Sequence, residues 1–200
     1  SALMQGLADG YFVLPYTIGD FLSKDIRTGK ISTDLPEFEA AEKETKARLD
    51  ALINNKGTKS VDHFHKQLGK VMWDKVGMAR NETGLKEAIS EIRKIREEFH
   101  KDVFVPGTTN SFNPELEKAT RVADFLELGE LFACDALNRS ESCGGHFREE
   151  SQTPEGEALR DDENFAFVSA WEWTGDPGTA NLHREDLAFK DIELKQRSYK

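Results

Sequence analysis

The sequence predicts a mainly α protein, an antiparallel bundle of three to four helices followed by a small C-terminal β-hairpin and loop region. Apolar residues recur every three or four positions in four stretches between residues 36 and 138, which places them on one face of a helix. From residue 165 the pattern changes to the alternation that is typical of a strand. In addition, 32% of the residues are charged and 38% are apolar, a balance that suits amphipathic helices with solvated outer faces.

Residues 1–24 form the first predicted element, a helix that is apolar around most of its circumference. Such a helix is usually buried on several sides. Proline supplies no N–H to the preceding turn, so Pro15 is expected to break or bend the helix. Two interpretations are open, a core helix of the same domain and a helix separated from a neighbouring domain. Because the chain begins without an initiator Met, we expect it to be part of a longer polypeptide.

Residues 25–138 are predicted to be the bundle domain, with a connector before the first bundle helix. Ser60 is a suitable N-cap, Asn81 or Thr83 starts the third stretch, and Pro114 stands in the first turn of the fourth, where proline is favoured. Short links make consecutive helices antiparallel neighbours. The predicted helices cover residues 36–55, 61–80, the stretch from 81 or 83 to beyond Phe99, and 114–138.

Residues 139–200 are predicted to be a C-terminal extension of loop and β-hairpin. The first strand covers residues 165–173, a Gly-Asp-Pro-Gly turn follows, and residues 182–194 form the second extended segment. Trp171 and Trp173 fall on one face of the first strand, which predicts that both are core residues. A two-stranded hairpin is marginally stable alone, so we expect it to pack on the bundle or on a domain outside this chain.

Composition excludes several classes of function. A net charge of −10 repels phosphate backbones and anionic lipids, so neither nucleic acid nor a membrane surface is an expected partner. Two cysteines are too few for a disulfide framework or an iron–sulfur cluster. No apolar run approaches a membrane span, and no signal peptide is visible. We therefore expect a soluble, intracellular protein.

The loop of residues 139–150 carries the densest set of reactive groups, including two arginines, Cys143 and His146. One hypothesis makes Cys143 a nucleophile and His146 its base. However, nucleophile and base seldom come from one short loop, and nothing marks an oxyanion hole. The favoured hypothesis is an arginine and glutamate network that fixes the loop against a neighbour.

Other candidate ligands have simpler explanations. His63 and His65 are two positions apart on a helix and so face different directions, which argues against a shared metal. The acidic run 161–163 is better explained as a cap than as a cation site. No Gly-rich phosphate-binding motif is present. The residues alone thus predict no catalytic group and no metal ligand.

Three stretches carry a resemblance to a known family. They are residues 1–10 (SALMQGLADG), residues 72–80 (MWDKVGMAR) with Gly84-Leu85 after them, and residues 141–148 (ESCGGHFR) with RDDEN at 160–164. In this order they resemble the C-terminal region of the succinate dehydrogenase/fumarate reductase flavoprotein subunit. L-aspartate oxidase shares this helical domain and is one alternative, and a free-standing helical scaffold or adaptor without catalytic activity is another.

The resemblance implies a parent that interconverts succinate and fumarate through FAD. It implies that residues 1–24 end the FAD-binding domain and that the backbone of Ala2 and Leu3 contacts the flavin ring. The family's catalytic groups lie upstream, so no catalytic residue is named, and the isolated chain is expected to be inactive and without cofactor. Implied partners are the chain's own N-terminal FAD-binding domain and an iron–sulfur subunit. A membrane anchor would hold the complex at the cytoplasmic, inner face of the cell membrane.

The chain departs from the family pattern at four places. Ala2 replaces the usual Ser, which is harmless if the contact is made by the backbone. Cys143 stands where the family mostly has Arg, so any ion pair of that Arg is lost. Phe165 stands where Trp is common. The gap between Arg148 and Arg160 is longer than usual, which implies an inserted surface loop.

Overall fold

The computed structural model describes residues 2–196, with the backbone alone at Ala2. The chain divides into two compact units, Ser1–Glu44 and Thr45–Lys200. The division falls within a helix, so the boundaries expected after residues 24 and 138 stay predictions. The helices are α1 Ala2–Ala8, α2 Leu14–Leu22, α3 Pro36–Asn54, α4 Val61–Val76, α5 Glu82–Asp102, α6 Pro114–Asn138 and α7 Asp162–Phe165; the strands are β1 Lys59–Ser60, β2 Val103–Phe104, β3 Phe167–Glu172 and β4 Asn181–Asp186.

The first unit is helical up to Leu22, and Pro15 does not interrupt it. A π-helical turn, Asp9–Val13, joins α1 to α2, and Pro15 lies in the first turn of α2. The wider turn before it accommodates a residue that cannot donate a backbone hydrogen bond. The apolar side chains remain largely exposed, as at Leu3, which is 87% accessible, and at Phe12.

The second unit is built around α4, α5 and α6, which pack pairwise against one another. Their starts carry the expected N-caps: the side chain of Ser60 accepts from the N–H of His63, and that of Asn81 accepts from the N–H of Gly84. Asn113 caps α6 in the same way. The predicted mainly helical fold with a small C-terminal hairpin is confirmed.

The core of this unit consists of apolar residues at the predicted helical spacing. The rings of Phe64 and Phe99 meet edge to face with their centroids 5.3 Å apart, an arrangement that aromatic pairs favour. Side chains from the second half of α3, including Leu49 and Leu52, pack against the same cluster. The fully or nearly fully buried members include Val61, Phe64, Leu68, Leu85, Ala88, Ile92, Phe99, Val103, Ala119, Val122, Leu126 and Ala133.

The second bundle helix is shorter than the sequence predicts. It ends at Val76 instead of reaching Arg80, because Gly77 has a non-helical ψ of −136°. Beyond it, Arg80 forms an isolated parallel β-bridge with Arg148. The end of this helix is therefore set by a pairing with a segment far along the chain.

One structural feature is absent from the predictions, a parallel contact between β1 and β2 that brings Lys59 opposite Val103. The approach is close at Gly57, where a Cβ atom would lie 2.1 Å from the backbone of Asp102. The missing side chain of Gly57 allows the link after α3 to lie against the end of α5.

The C-terminal hairpin packs on the bundle. Strands β3 and β4 are antiparallel, with Phe167 opposite Asp186. The first strand starts at Phe167, because Phe165 belongs to the short helix α7, and the second ends at Asp186 rather than at residue 194. The indole N–H of Trp171 donates to Asp135 on α6 at 2.7 Å.

Trp173 differs from Trp171 and corrects one prediction. It follows the end of β3 and is half exposed, so it is not a core residue. The alternation of the sequence continues past the point where the strand itself ends. Among residues 2–196, no helix has both the length and the apolar character needed to cross a bilayer.

Candidate functional site

Residues 139–150, which we call the clasp loop, form a densely bonded polar region. Its tip is a two-residue turn in which the N–H of Cys143 donates to the carbonyl of His146 and the reverse pair also forms, at 2.9 and 3.0 Å. Gly144 has a φ of +60°, a conformation that glycine adopts without steric cost. The Gly-Gly pair therefore reverses the chain and returns it to the end of α6.

Arg148 holds the carboxyl end of α6. Its side chain is buried, with 3% accessible surface. The Nη1 atom donates to the carbonyls of Ala136, Leu137 and Arg139 at 3.0 to 3.3 Å. The last carbonyls of a helix have no partner within it and carry partial negative charge, so a cation is stabilising there. Arg148 thus acts as a C-terminal cap of the longest helix.

The two residues that follow bond the start of α5. The carboxylate of Glu150 accepts from the N–H of Glu82 and from Nε of Arg148 at 3.1 Å. The carboxylate of Glu149 accepts from the side-chain amide of Asn81 at 2.7 Å. A negative charge is stabilising near the amino end of a helix, where N–H groups are unpaired.

Arg80 and His146 complete the contact with the end of α4. The Nε atom of Arg80 donates to the carbonyls of Val76 and Gly77, both at 3.0 Å. His146 Nε2 lies 2.7 Å from the carbonyl of Arg139, and its Nδ1 lies 2.7 Å from Nη1 of Arg80. A carbonyl only accepts, so Nε2 carries the proton and Nδ1 accepts from Arg80.

The clasp loop also reaches the C-terminal hairpin. Arg139 donates to the carbonyls of Phe165 and Phe167, both at 3.0 Å, and pairs with the buried carboxylate of Glu141 at 2.7 Å. The other oxygen of Glu141 accepts from the N–H of Asp161. One loop therefore joins the ends of three helices to the hairpin, as the predicted arginine and glutamate network required.

The structure gives no support to Cys143 as a nucleophile. The residue is exposed, but partial desolvation by neighbouring atoms raises the pKa of its thiol, and the nearby Glu141 carboxylate adds to the effect. A reactive cysteine needs a lowered pKa instead. Both ring nitrogens of His146 are engaged with other groups. The pair therefore lacks both the thiolate and the free base that this chemistry needs.

His146 makes folding stability depend on pH. Burial lowers its pKa, and Arg80 and Arg148 contribute in the same direction against the opposing bond to the Arg139 carbonyl. An unfolded histidine takes up a proton below about pH 6.5, whereas the folded one does so only at lower pH. Stability that is present above that pH is therefore lost as the pH falls.

We expect His146→Gln to flatten this loss when the free energy of unfolding is measured in urea between about pH 7.5 and 5. His100 provides the matched control, because burial also lowers its pKa while it lies outside the clasp loop. The His100→Gln variant should keep the part of the pH dependence that comes from His146. An unchanged pH profile in His146→Gln would contradict the assignment.

The remaining candidate ligands are separate. His63 lies against Phe64, whereas His65 lies against Phe125. Asp161 caps α7 through the N–H of Asn164, as expected for a cap. Within residues 2–196 no three His, Cys, Asp or Glu side chains are arranged to hold a metal ion.

A buried charge network that the sequence analysis missed lies between α5 and α6. The side chain of Glu130 is fully buried, and its carboxylate pairs with Arg93 at 2.6 Å and with Arg96 at 2.9 Å. Arg96 also pairs with Asp176, in the hairpin turn, at 3.1 Å. The sequence does contain an indication of this network. An acidic residue stands within the wide apolar face of α6, and two arginines stand three positions apart on α5.

The two residues expected to contact a flavin, Ala2 and Leu3, lie in the first turn of α1. The side chain of Leu3 is exposed. The contact of these two residues with a flavin stays a prediction.

Comparison with known proteins identifies a family that matches this chain. The family described as fumarate reductase flavoprotein C-term matches residues 65–199. The fumarate reductase flavoprotein subunit of Helicobacter pylori is 28% identical over 178 residues, which are 88% of this chain and 24% of that subunit.

Solved structures agree on the fold. A chain of E. coli quinol fumarate reductase superposes with a TM-score of 0.70 at 23% identity, covering 85% of this chain and 28% of that one. A chain of the Mycobacterium smegmatis Sdh1 complex gives 0.61 at 25% identity, covering 78% and 26%. This chain spans about a quarter of the length of its relatives. Because the family match covers well over half of it, the chain belongs to the fumarate reductase flavoprotein C-terminal family.

Proposed function

We propose that the chain is the C-terminal helical domain of a longer flavoprotein subunit, its parent, which interconverts succinate and fumarate. Its own role is to brace the FAD-binding portion of that parent and to offer docking surface to an iron–sulfur subunit. The proposal rests on what the charged side chains of the clasp loop bind. Its charged groups hold helix ends and the hairpin, which suits a supporting domain better than a reaction centre.

FAD in the parent would supply the hydride chemistry when bound. The contribution of this chain to it is small, namely the backbone of Ala2 and Leu3 at the start of α1. No phosphate-binding motif accompanies them in the sequence, and a dinucleotide needs a whole fold for binding and orientation. We therefore place the remaining flavin contacts, and all catalytic groups, in the part of the parent that precedes residue 1.

Assembly with other subunits would determine where in the cell the parent lies. We propose that it is cytoplasmic and peripheral at the inner face of the cell membrane. An anchor subunit would hold it there through the iron–sulfur subunit. The net charge of −10 supports indirect attachment, since such a surface is repelled by anionic lipid.

The isolated chain is expected to be colourless and unable to oxidise succinate. The test is the visible absorbance of the purified chain, together with dye-linked succinate oxidation before and after incubation with excess FAD. The full-length parent, prepared in parallel, is the positive control and should hold flavin and turn over succinate. Stoichiometric flavin and succinate oxidation by the isolated chain would overturn the proposed supporting role. A flavin-loaded parent without succinate or fumarate activity would overturn the proposed reaction.

A further inference from the structure

One face of the bundle carries apolar side chains that no other described residue of the second unit covers. We call it the α4/α6 face, and it includes Trp73, Met78, Phe125, Leu128 and Phe132. Trp73 is 84% and Met78 91% accessible, and Leu128 is 60% accessible. Clustered large apolar groups on a protein surface mark an interaction site.

The face contains three adjoining depressions. The first, of about 310 Å³, lies between α4 and α6 over Leu68, Gly69 and Gly129. It shares Phe132 with a second, of about 390 Å³, which continues to the clasp loop. The third, of about 470 Å³, lies beside Trp73 and Met78. The second and third share Arg80 and Gly145, so Arg80 stands where they join.

Arg80 is a charged group of this face, where Asp135 and Arg139 also line the second depression. Arg80 forms no ion pair in the part of the chain that the structure describes. Arg139, Arg148 and Arg160 each pair with a carboxylate. Arg80 instead bonds two carbonyls and a neutral imidazole, and its guanidinium lies 4.9 Å from the centroid of the Phe132 ring. Burial lowers its pKa, and the nearby Asp135 carboxylate, which accepts from the indole of Trp171, opposes this. A half-buried guanidinium without a direct ion pair is suited to receive a carboxylate.

We infer that the α4/α6 face receives an apolar segment of the parent polypeptide that lies outside this chain, and that this segment places a carboxylate on Arg80. The inference rests on the proposed function and assigns the bracing contact to particular residues. The apolar depressions would bury the segment, while the bond to the guanidinium would fix its position along the face.

Two observations favour the parent polypeptide as the occupant. Relatives are about four times as long as this chain, which spans 24% of the H. pylori subunit. A partner on the same polypeptide binds at a high effective concentration, so a surface of moderate size is sufficient. A second copy of this chain would bring another net charge of −10, which opposes association.

Hydroxyl-radical footprinting of the full-length parent tests the inference, because the radical oxidises exposed Trp, Met and Phe side chains. Oxidation of Trp73 and Met78 should be several-fold slower in the full-length parent than in this chain alone. Phe112, which is 90% accessible and lies outside the face, is the internal control and should react at the same rate in both. Equal rates at Trp73 and Met78 would refute the inference.

Variants of the full-length parent test the two parts of the contact. Arg80→Glu should restore much of the oxidation at Trp73, and Arg80→Lys should restore less because it keeps the charge. Leu128→Asp tests the apolar part without removing any hydrogen bond, so it remains informative if Arg80→Glu disturbs the end of α4. Lys94→Glu, on α5 beside the groove between α4 and α5, is the matched charge reversal and should leave the protection intact. Protection that survives Leu128→Asp would count against the face as the contact.

The footprint also separates other occupants. Protection that develops in this chain alone as its concentration rises would mean a second copy, and protection that requires added iron–sulfur subunit would mean that subunit; either would overturn the inference. The proposed function fails independently, through the flavin and turnover measurements on the same parent preparation.

Discussion

Replacing Arg148 by alanine is expected to lower the free energy of unfolding by roughly 3–5 kcal/mol, because each bond from a charged donor contributes about 1.5–3 kcal/mol and its buried acceptors lose their partner. Arg148 is buried and donates to three carbonyls at the end of α6 and to Glu150. Urea denaturation followed by circular dichroism gives the measurement.

Two control variants accompany this prediction. Arg121→Ala removes an arginine from an exposed pair with Glu117 on the same helix and should change stability little. Arg148→Lys keeps the charge but loses the planar fork, so it should recover only part of the loss. If Arg148→Ala were as stable as Arg121→Ala, the clasp loop would not be holding the helix ends.

A loss of roughly 2–3 kcal/mol is expected for Glu130→Gln, because charge-assisted bonds to a fully buried carboxylate become bonds to a neutral amide. Arg93 is half exposed and Arg96 keeps its pair with Asp176, so the loss is smaller than that for an unpaired buried charge. Glu130 is fully buried between Arg93 and Arg96. The amide keeps the shape of the carboxylate, so the loss reports charge rather than packing. Thermal or urea unfolding of the whole chain measures it.

Glu127 is the matched control for Glu130. It lies on the same helix but is exposed, so Glu127→Gln should have a small effect. Because Arg96 also pairs with Asp176, Glu130→Gln should in addition increase hydrogen exchange in the hairpin turn. Equal stability of the two glutamine variants would show that the buried network is energetically neutral.

The helices and their starts could be predicted because the information for them is local. Apolar spacing defines the faces of α4 to α6, and side chains such as Ser60 and Asn113 cap the turns directly after them. The contact between β1 and β2 depends instead on segments 44 residues apart. Only the folded chain shows that Gly57 must lack a side chain to allow that contact.

The sequence predicted what kind of network the clasp loop forms, but not which groups its side chains bond. The composition of residues 139–150 indicated an arginine and glutamate network, and that is what forms. Which carbonyls Arg148 would reach, and that His146 would bond Arg80, depends on where α4 and α6 end in space. Glu130 was missed because its cationic partners lie on another helix. A single acidic residue in an apolar helix face does not indicate in the sequence which groups it will pair with.

The position of the clasp loop along the chain has a consequence for synthesis. Ribosomes release a polypeptide from its amino end, and domains generally fold in that order. Residues 61–138 therefore emerge before the segment that bonds Arg80, the end of α6 and the start of α5. A nascent chain that stops at Asn138 has the whole apolar core, and Arg80 and Asn81 can already bond the end of α4 and the start of α5. The carbonyls at the end of α6 still lack their cap, so the translation of Arg148 completes the bonding of the bundle.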